Sequence, residues 1–133
     1  MTDTAAAGRR HTSHRVLQRW ALGLVAALIG GFQLVDGAHV LRVGAYLGPP
    51  TPGPWANLVA AAGVDPFAMG PVFIVLGSAW ILAVGWLVTT GAGTAWWASV
   101  AVAVLTLWYL PLGTALAALT LLILVVGRSS LVR

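Results

Sequence analysis

The sequence predicts an all-α fold, a bundle of four transmembrane helices in a single membrane domain. Three observations favour this fold. The chain is 59% hydrophobic and 8% charged, whereas soluble domains carry about 25% charged residues. Its mean hydropathy is +0.93, so a chain of 133 residues cannot bury its apolar surface within itself, and lipid is the expected solvent. Glycine, proline and polar breaks divide the apolar sequence into four helical stretches.

The composition excludes several classes of function. The chain has no Cys, which excludes disulfides, thiolate metal sites and a Cys nucleophile. Its basic residues are all Arg and its acids are Asp3, Asp36 and Asp65, so the pI is 11.3. Nucleic acid is not an expected partner, because the Arg residues lie at the ends of apolar segments, where the positive-inside effect places them. Arg without Lys, with abundant Ala, Gly and Val, is typical of GC-rich bacteria, so we expect a bacterial plasma (inner) membrane protein.

Residues 1–15 are predicted to form a basic cytoplasmic tail that is flexible or lies on the membrane surface, before a membrane domain over 16–133. A signal peptide is not expected, because the apolar run that follows is far longer than a signal h-region. Basic side chains near span ends attract anionic lipid headgroups, by about 1 kcal/mol each. The residues expected in this role are Arg9, Arg10, Arg15, Arg19 and Arg128.

Span one is predicted over 17–42. Gly23, Ala27 and Gly31 recur in it at steps of four. Small residues at that spacing let another helix approach closely, which favours association where lipid removes the hydrophobic incentive. We therefore expect this face to pack on a helix of this chain or of another.

The connection after span one contains a proline-rich segment and a short predicted helix. Residues 48–54 are rich in proline and cannot form a helix, because each Pro lacks a donor and restrains the residue before it. Residues 55–62 predict a short interfacial helix, with Trp55 at headgroup level. Asp65 followed by Pro66 is a helix start signal, with Asp as the N-cap.

Three further spans are predicted over 67–89, 94–110 and 112–127. The apolar stretch that holds the last two is too long for one span and just long enough for two short ones. Pro111 is expected to break it. The small residues expected at helix contacts in these spans are Gly77, Gly85, Ser99 and Gly113.

The orientation follows from charge and aromatic placement. Four spans put both termini on one side, and Arg residues cluster at both termini, so both ends are expected in the cytoplasm. Trp and Tyr residues fall at the span ends on both sides, as aromatic belts do. Those at the cytoplasmic ends are Trp20, Trp86, Trp96 and Trp97; those at the outer ends are Tyr46, Trp55, Trp108 and Tyr109.

Two stretches resemble known membrane proteins. The sequence LWYLPLGTAL over 107–116 resembles the turn of many small bacterial four-helix membrane proteins of uncharacterised function. The sequence RWALGL over 19–24, with Asp36 and Gly37, is similar to the first span of DoxX-like proteins. This resemblance implies a four-helix bundle and a role beside quinone-associated redox chemistry or as an accessory component. The chain departs from that family in its long proline-rich loop and offers no redox-active residue.

The candidate site is a series of polar residues at three-residue steps in span one, Gln33, Asp36, His39 and Arg42. Residues three apart are helical neighbours, so Asp36 can touch His39, and His39 can touch Arg42. Asp36 follows Trp20 by 16 positions, or about 24 Å of helix, in a hydrocarbon core about 30 Å thick. The cluster is therefore expected near the outer membrane face, where Asp36 still needs a partner.

This cluster has three interpretations. It is a salt-bridged helix end that pins the loop, a pocket under the proline-rich loop for a quinone or a lipid headgroup, or a proton relay with His39 as the titrating group. Trp55 and Trp80 are further candidates for ligand or partner contact, although Trp80 also suits core packing. His39 alone offers an axial ligand for a pigment or for a haem shared across a dimer. No metal site, no catalytic set and no resident cofactor are predicted.

Three functions from different classes fit the sequence. The first is a non-catalytic accessory or scaffold subunit of a larger membrane complex, because small-residue faces are abundant and no catalytic set is present. The second is a DoxX-like component that binds a quinone or a lipid at Asp36, His39 and Arg42. The third is a small homo-oligomeric transporter, which is disfavoured because no charge lies at mid-membrane.

Overall fold

The computed structural model describes residues 3–48 and 50–133, with side chains described from Ser13 onward apart from Pro49. All regular structure in these ranges is helical, with no strand, which confirms the all-α prediction for this part of the chain. The elements are α1 (Asp3–Val43), α2 (Pro54–Ala61), a 3₁₀ helix (Pro66–Met69), α3 (Gly70–Thr90), α4 (Gly93–Leu105), α5 (Leu112–Val126) and the short α6 (Arg128–Leu131).

Two of these segments are long and apolar enough to cross a membrane. They are Ser13–Val43, with 31 residues, and Pro66–Thr90, with 25 residues. α4 and α5 are apolar but have 13 and 15 residues, short of the ~20 that a perpendicular span needs. Two candidate spans are therefore present in the described chain, and the four-span topology stays a prediction.

α1 extends further toward the N-terminus than the predicted span does. It begins at Asp3 and has 41 residues, so most of the segment expected to be a tail is helical. Ala5, Ala6 and Ala7 explain this extension, because Ala has the highest helix propensity and no Pro interrupts the segment. The side chains of Arg9 and Arg10, predicted to contact headgroups, lie outside the described side chains.

The connection between α1 and α3 is non-helical over residues 44–48 and 50–53, and α2 follows it. Pro54 is the first residue of α2, a position where its missing N–H costs nothing. Gly63 follows at φ 79°, a left-handed conformation that Gly adopts without strain. Asp65 caps the next element as predicted, its side chain accepting from the Phe67 N–H at 3.0 Å. The element that it caps is the 3₁₀ helix.

The helices pack in chain order, α1 on α3, α3 on α4 and α4 on α5, and α5 returns to α1. Contacts at one end of this bundle bring the C-terminus back to the N-terminal half of α1. The Ser130 hydroxyl donates to Gln18 Oε1, and the Arg133 N–H donates to the Gly91 carbonyl at 3.0 Å. The α3–α4 turn, the C-terminus and Gln18 therefore share one end, while α2 and the α4–α5 turn lie at the other.

Two pairs of glycines set the contact between α1 and α3. A Cβ placed on Gly77 would lie 2.6 Å from the Gly30 carbonyl oxygen, and one on Gly37 would lie 2.7 Å from that of Gly70. The seven-residue spacing is the same on both helices, so the antiparallel backbones meet at two points two turns apart. The face that packs within this chain is thus centred on Gly30 and Gly37.

The predicted four-step stripe does not lie at this contact. No atom of another helix comes within 4 Å of a Cβ placed on Gly23 or Gly31, and Ala27 is exposed. Gly85 on α3 also has open space around it. Of the other small residues, Ser99 is buried and its hydroxyl donates to the Ala95 carbonyl at 2.8 Å, whereas Gly113 abuts the Tyr109 ring.

The buried apolar residues form two clusters along the bundle. The larger surrounds Trp80, whose indole N–H donates to Thr106 Oγ1 at 2.9 Å. The smaller lies at the α2 end and is centred on Phe73. Ile29 belongs to the first cluster and Val40 to the second. The segment of α1 between them contains the buried polar residues described next.

Candidate functional site

The four predicted polar residues of α1 do not form one cluster. Gln33 and Asp36 are buried, at 0% and 3% exposure, whereas His39 is half-buried and Arg42 is exposed. Successive residues of a helix are rotated by about 100°, so Arg42, nine positions after Gln33, lies on the opposite side of α1. Among the described side chains, no ion pair joins Asp36 to His39 or Arg42, and the predicted salt bridge is therefore not formed.

Asp36 instead anchors the loop through the backbone. Its Oδ1 accepts the Leu47 N–H at 2.8 Å, because Gly44 and Gly48, at φ 76° and 115°, let the chain fold back over the end of α1. The carboxylate thus satisfies a backbone donor of the loop that follows α1. The interpretation of Asp36 as a pin for the loop fits this contact, although the bond is to a peptide group and not to a cation.

Six aromatic residues surround this loop at the α2 end of the bundle. Each of their rings lies 5.1–6.0 Å from at least one other, in edge-to-face or stacked pairs that aromatic quadrupoles favour. They come from the loop, α2, the 3₁₀ helix, α3 and the α4–α5 turn, and they are Tyr46, Trp55, Phe67, Phe73, Trp108 and Tyr109. This aromatic cluster holds five separate segments of the chain together.

Tyr46 connects the loop to the start of the 3₁₀ helix. Its hydroxyl donates to the Pro66 carbonyl at 2.5 Å. Burial, with a smaller effect of the Asp36 charge, raises the pKa of Tyr46 well above its usual range. The hydroxyl therefore stays protonated and keeps its role as a donor at any physiological pH.

A small polar chamber lies between Asp36 and the aromatic cluster, with a volume of about 130 Å³. The residues that define it are Phe32, Asp36, Tyr46, Thr51, Trp55 and Tyr109. Leu47, Pro52 and Gly53 also line it. A ligand in the chamber would therefore meet Asp36 and several aromatic side chains.

An apolar groove of about 300 Å³ lies between α1 and α5, next to the chamber. Leu28, Leu112 and Leu116 line it, and Phe32 and Tyr109 belong to both the groove and the chamber. The wall that the two cavities share places a polar space directly beside an apolar one. Such an arrangement suits a molecule with a polar head and an apolar tail.

Gln33 lies one helical turn below Asp36. Its side chain is wholly buried, and neither Oε1 nor Nε2 has a hydrogen-bond partner in the described part of the chain. A buried polar group left unpaired costs about 1–3 kcal/mol. A bound molecule or an internal water that hydrogen-bonds to the Gln33 amide would remove this cost.

The sequence predicted part of this site. Trp55 lies at the chamber, whereas Trp80 is fully buried with its N–H bonded to Thr106 and lines neither the chamber nor the adjacent groove. Sequence reasoning placed Tyr46 and Tyr109 in an outer aromatic belt and missed their position at the chamber. One available signal was that Tyr46 and Tyr109, the chain's 2 Tyr, both lie close to the predicted outer ends of spans, as Asp36 does. No group of three or more metal-ligating side chains occurs among the described residues.

A second, larger groove lies near the other end of α1. It has a volume of about 630 Å³, and its walls are almost entirely apolar. The residues that line this Trp20 groove include Val16, Arg19, Trp20, Gly23, Ala27 and Val88. The predicted small-residue stripe therefore faces open space beside a large exposed Trp, and Arg19 Nε is buried there with no partner among the described residues.

The remaining predicted headgroup contacts differ in their surroundings. Arg15 is exposed, whereas the Arg128 guanidinium lies 4.7 Å from the Trp96 ring centroid, an attraction between a cation and an aromatic face.

The resemblance to DoxX-like proteins stays a prediction. Comparison of the chain with protein-family models, with curated proteins and with solved structures found no match.

Proposed function

We propose that this protein is a four-span membrane protein that binds an amphipathic ligand at its outer face. The headgroup occupies the polar chamber, and the apolar chain lies in the groove between α1 and α5. The observation that supports this proposal is that Phe32 and Tyr109 line both cavities, so the chamber and the groove are adjacent; the ligand reaches both if these two side chains part. A quinone or a lipid, expected from the sequence, has the required shape.

The four-span topology belongs to this proposal. The helices α1, α3, α4 and α5 pack side by side in chain order, and the C-terminus returns to the end of the bundle that contains Gln18. With Arg residues at both chain ends, this end faces the cytoplasm. The chamber then lies near the outer face, and α2 lies along that interface.

Photolabelling tests the ligand site. Decyl amphiphiles with different heads and a diazirine on the chain are added to the full-length protein in maltoside micelles, and labelled peptides are identified by mass spectrometry. We expect preferred labelling of Leu28, Phe32 and Leu112, with saturation at rising probe concentration. Leu116→Trp fills the groove and should lower that labelling at least fivefold.

Leu122→Trp is the matched control, because Leu122 lies on the same helix, is 60% exposed and does not line the groove. It should leave the labelling of the groove unchanged. Unsaturable labelling spread over all exposed apolar positions, with equal effects of the two Trp substitutions, would rule out a specific site.

A second function, an accessory subunit of a larger membrane complex, is favoured by the Trp20 groove. Gly23 and Ala27 offer a close approach there, and the described part of the chain leaves their face uncovered. Purification in mild detergent should then yield the protein with a partner, and Gly23→Ile should release that partner without unfolding the bundle. If the unaltered protein and Gly23→Ile both purify as monomers without a partner, this function is contradicted.

A further inference from the structure

The charge of the polar chamber comes from Asp36. Its carboxylate is 3% exposed, and none of the residues that line the chamber is Arg, Lys or His. His39 interacts with it electrostatically, but no ion pair forms between described residues. An ionised carboxylate that leaves water is costly without a paired charge. A positive group in the chamber would supply the missing countercharge.

The walls of the chamber are also suited to a cation. Phe32, Tyr46, Trp55 and Tyr109 all line it, and the faces of such rings attract cations, most strongly where water is excluded. Tyr46 and Trp55 pack edge to face with centroids 5.2 Å apart, and this contact holds two of the lining rings in fixed positions. Aromatic rings beside one carboxylate form a typical binding site for an ammonium group.

The volumes of the two cavities and the charge of the chamber narrow the chemical class of the ligand further. The chamber, at about 130 Å³, has less than half the volume of the groove, at about 300 Å³, so a small head with a longer apolar chain fits best. A zwitterionic phospholipid would bring a phosphate close to Asp36, where no basic side chain among the lining residues could balance it. A quinone would leave the carboxylate without a countercharge.

We infer that the chamber binds the amine or quaternary ammonium head of a singly charged amphipathic cation, whose alkyl chain lies in the groove between α1 and α5. This inference rests on the proposed function, because it names the chemical class of the amphipathic ligand. Asp36 is the residue that selects the charge, and the aromatic walls select the size and apolar surface of the head.

The test uses unlabelled competitors that share a decyl chain and differ in the head. Decyltrimethylammonium, decylphosphocholine and decanol compete with the diazirine probes for the groove of the full-length protein. We expect decyltrimethylammonium to compete at least tenfold more strongly than the other two. This comparison uses the unaltered protein, so it does not depend on the folding of any variant.

Asp36→Asn removes the charge and retains the anchor of the loop, because the amide oxygen can still accept the Leu47 N–H. It should weaken the competition by decyltrimethylammonium by about tenfold or more, the range of a charge-assisted interaction. The competition by decanol should not change. Asp65→Asn is the matched control, since Asp65 is exposed and does not line the chamber, and it should change neither competitor.

Three results would overturn the inference. Equal competition by decanol, unaffected by Asp36→Asn, would show a neutral ligand at a genuine site. Stronger competition by decylphosphocholine would show a zwitterionic lipid head. If no diazirine probe labels the groove at all, the proposed function fails first and the inference fails with it.

Discussion

Gln33 and Asp36 lie one turn apart on α1, and both are buried polar side chains that need hydrogen-bond partners. Asp36 gains the Leu47 N–H at 2.8 Å, whereas both amide atoms of Gln33 lack a partner among the described residues. In a low-dielectric interior an unpaired amide is costly. A residue that destabilises its own fold is expected where a ligand or an internal water completes the hydrogen bonds.

Replacing Gln33 by an apolar side chain of similar length should therefore stabilise the ligand-free protein. We expect Gln33→Met to raise the free energy of unfolding by about 1–3 kcal/mol, the cost of an unsatisfied buried group. Circular dichroism through a thermal unfolding transition in maltoside would measure the change.

The matched control is Gln18→Met, at the other Gln of the chain. Gln18 accepts the Ser130 hydroxyl, so this variant should lose about 1 kcal/mol. A loss of stability from Gln33→Met of the same size would mean that the Gln33 amide has a partner in the protein as purified, such as a buried water.

The sequence identified Gln33 and Asp36 as deep polar residues because their neighbours are apolar. It did not identify the partner of Asp36, since helical spacing points to residues three or four positions away and the real partner is the Leu47 peptide. That contact depends on the positive φ angles of Gly44 and Gly48. The sequence shows that glycine permits such angles, but it does not show that the loop uses them.

At the level of the helices, the packing of α1 on α3 depends on which small residues face each other. Both stripes of α1, the one at Gly23 and Gly31 and the one at Gly30 and Gly37, are plausible from sequence, because both consist of small residues at helical spacing. The choice is made by α3, where Gly70 and Gly77 have the same seven-residue spacing. Complementary spacing on two helices selects one register from several.

A methyl group at this contact should be far more costly than one elsewhere on α3. In Gly77→Ala the new Cβ would lie 2.6 Å from the Gly30 carbonyl oxygen and 3.0 Å from the Leu34 side chain. The two backbones must separate, and we expect a loss of about 1–3 kcal/mol of unfolding free energy. Unfolding in maltoside with increasing dodecyl sulfate would measure it.

Gly85→Ala is the control on the same helix, because no atom lies within 4 Å of its added Cβ. A helical Gly replaced by Ala without a clash should gain about 0.5–1 kcal/mol. Equal effects of Gly77→Ala and Gly85→Ala would contradict the close contact of α1 with α3.

The whole molecule combines two long helices with two short ones. α4 and α5, with 13 and 15 residues, measure about 20 and 22 Å, against a hydrocarbon core about 30 Å thick. Four spans then require a locally thinner bilayer or apolar residues beyond the helix ends. The sequence pattern indicates where the apolar segments lie, but helix length depends on where α4 ends, at Thr106, and where α5 begins, after Pro111, which periodicity does not fix.

Because the chain has no Cys, single Cys substitutions test the topology without a background of native thiols. Thr51 and Asn57 are exposed at the α2 end of the bundle, and Thr90 and Ser129 are exposed at the end that contains the C-terminus. With four spans and cytoplasmic termini, a membrane-impermeant maleimide added to intact cells should label Thr51→Cys and Asn57→Cys at once. It should label Thr90→Cys and Ser129→Cys only after the membrane has been permeabilised.

Each alternative gives a different labelling pattern, with the unaltered chain as the unlabelled control. Labelling of all four positions from one side would mean that α3 does not cross the membrane, because α3 lies between Asn57 and Thr90. Thr90 and Ser129 lie on the same side whether or not α4 and α5 both cross, so Leu110→Cys, exposed in the α4–α5 turn, separates four spans from two. It should be labelled in intact cells if α4 and α5 cross, and only after permeabilisation if they do not. The reverse pattern would put both termini outside and the polar chamber at the cytoplasmic face. In that orientation the cation that we infer for Asp36 would enter from the cytoplasm, so the labelling pattern decides which side of the membrane supplies the ligand.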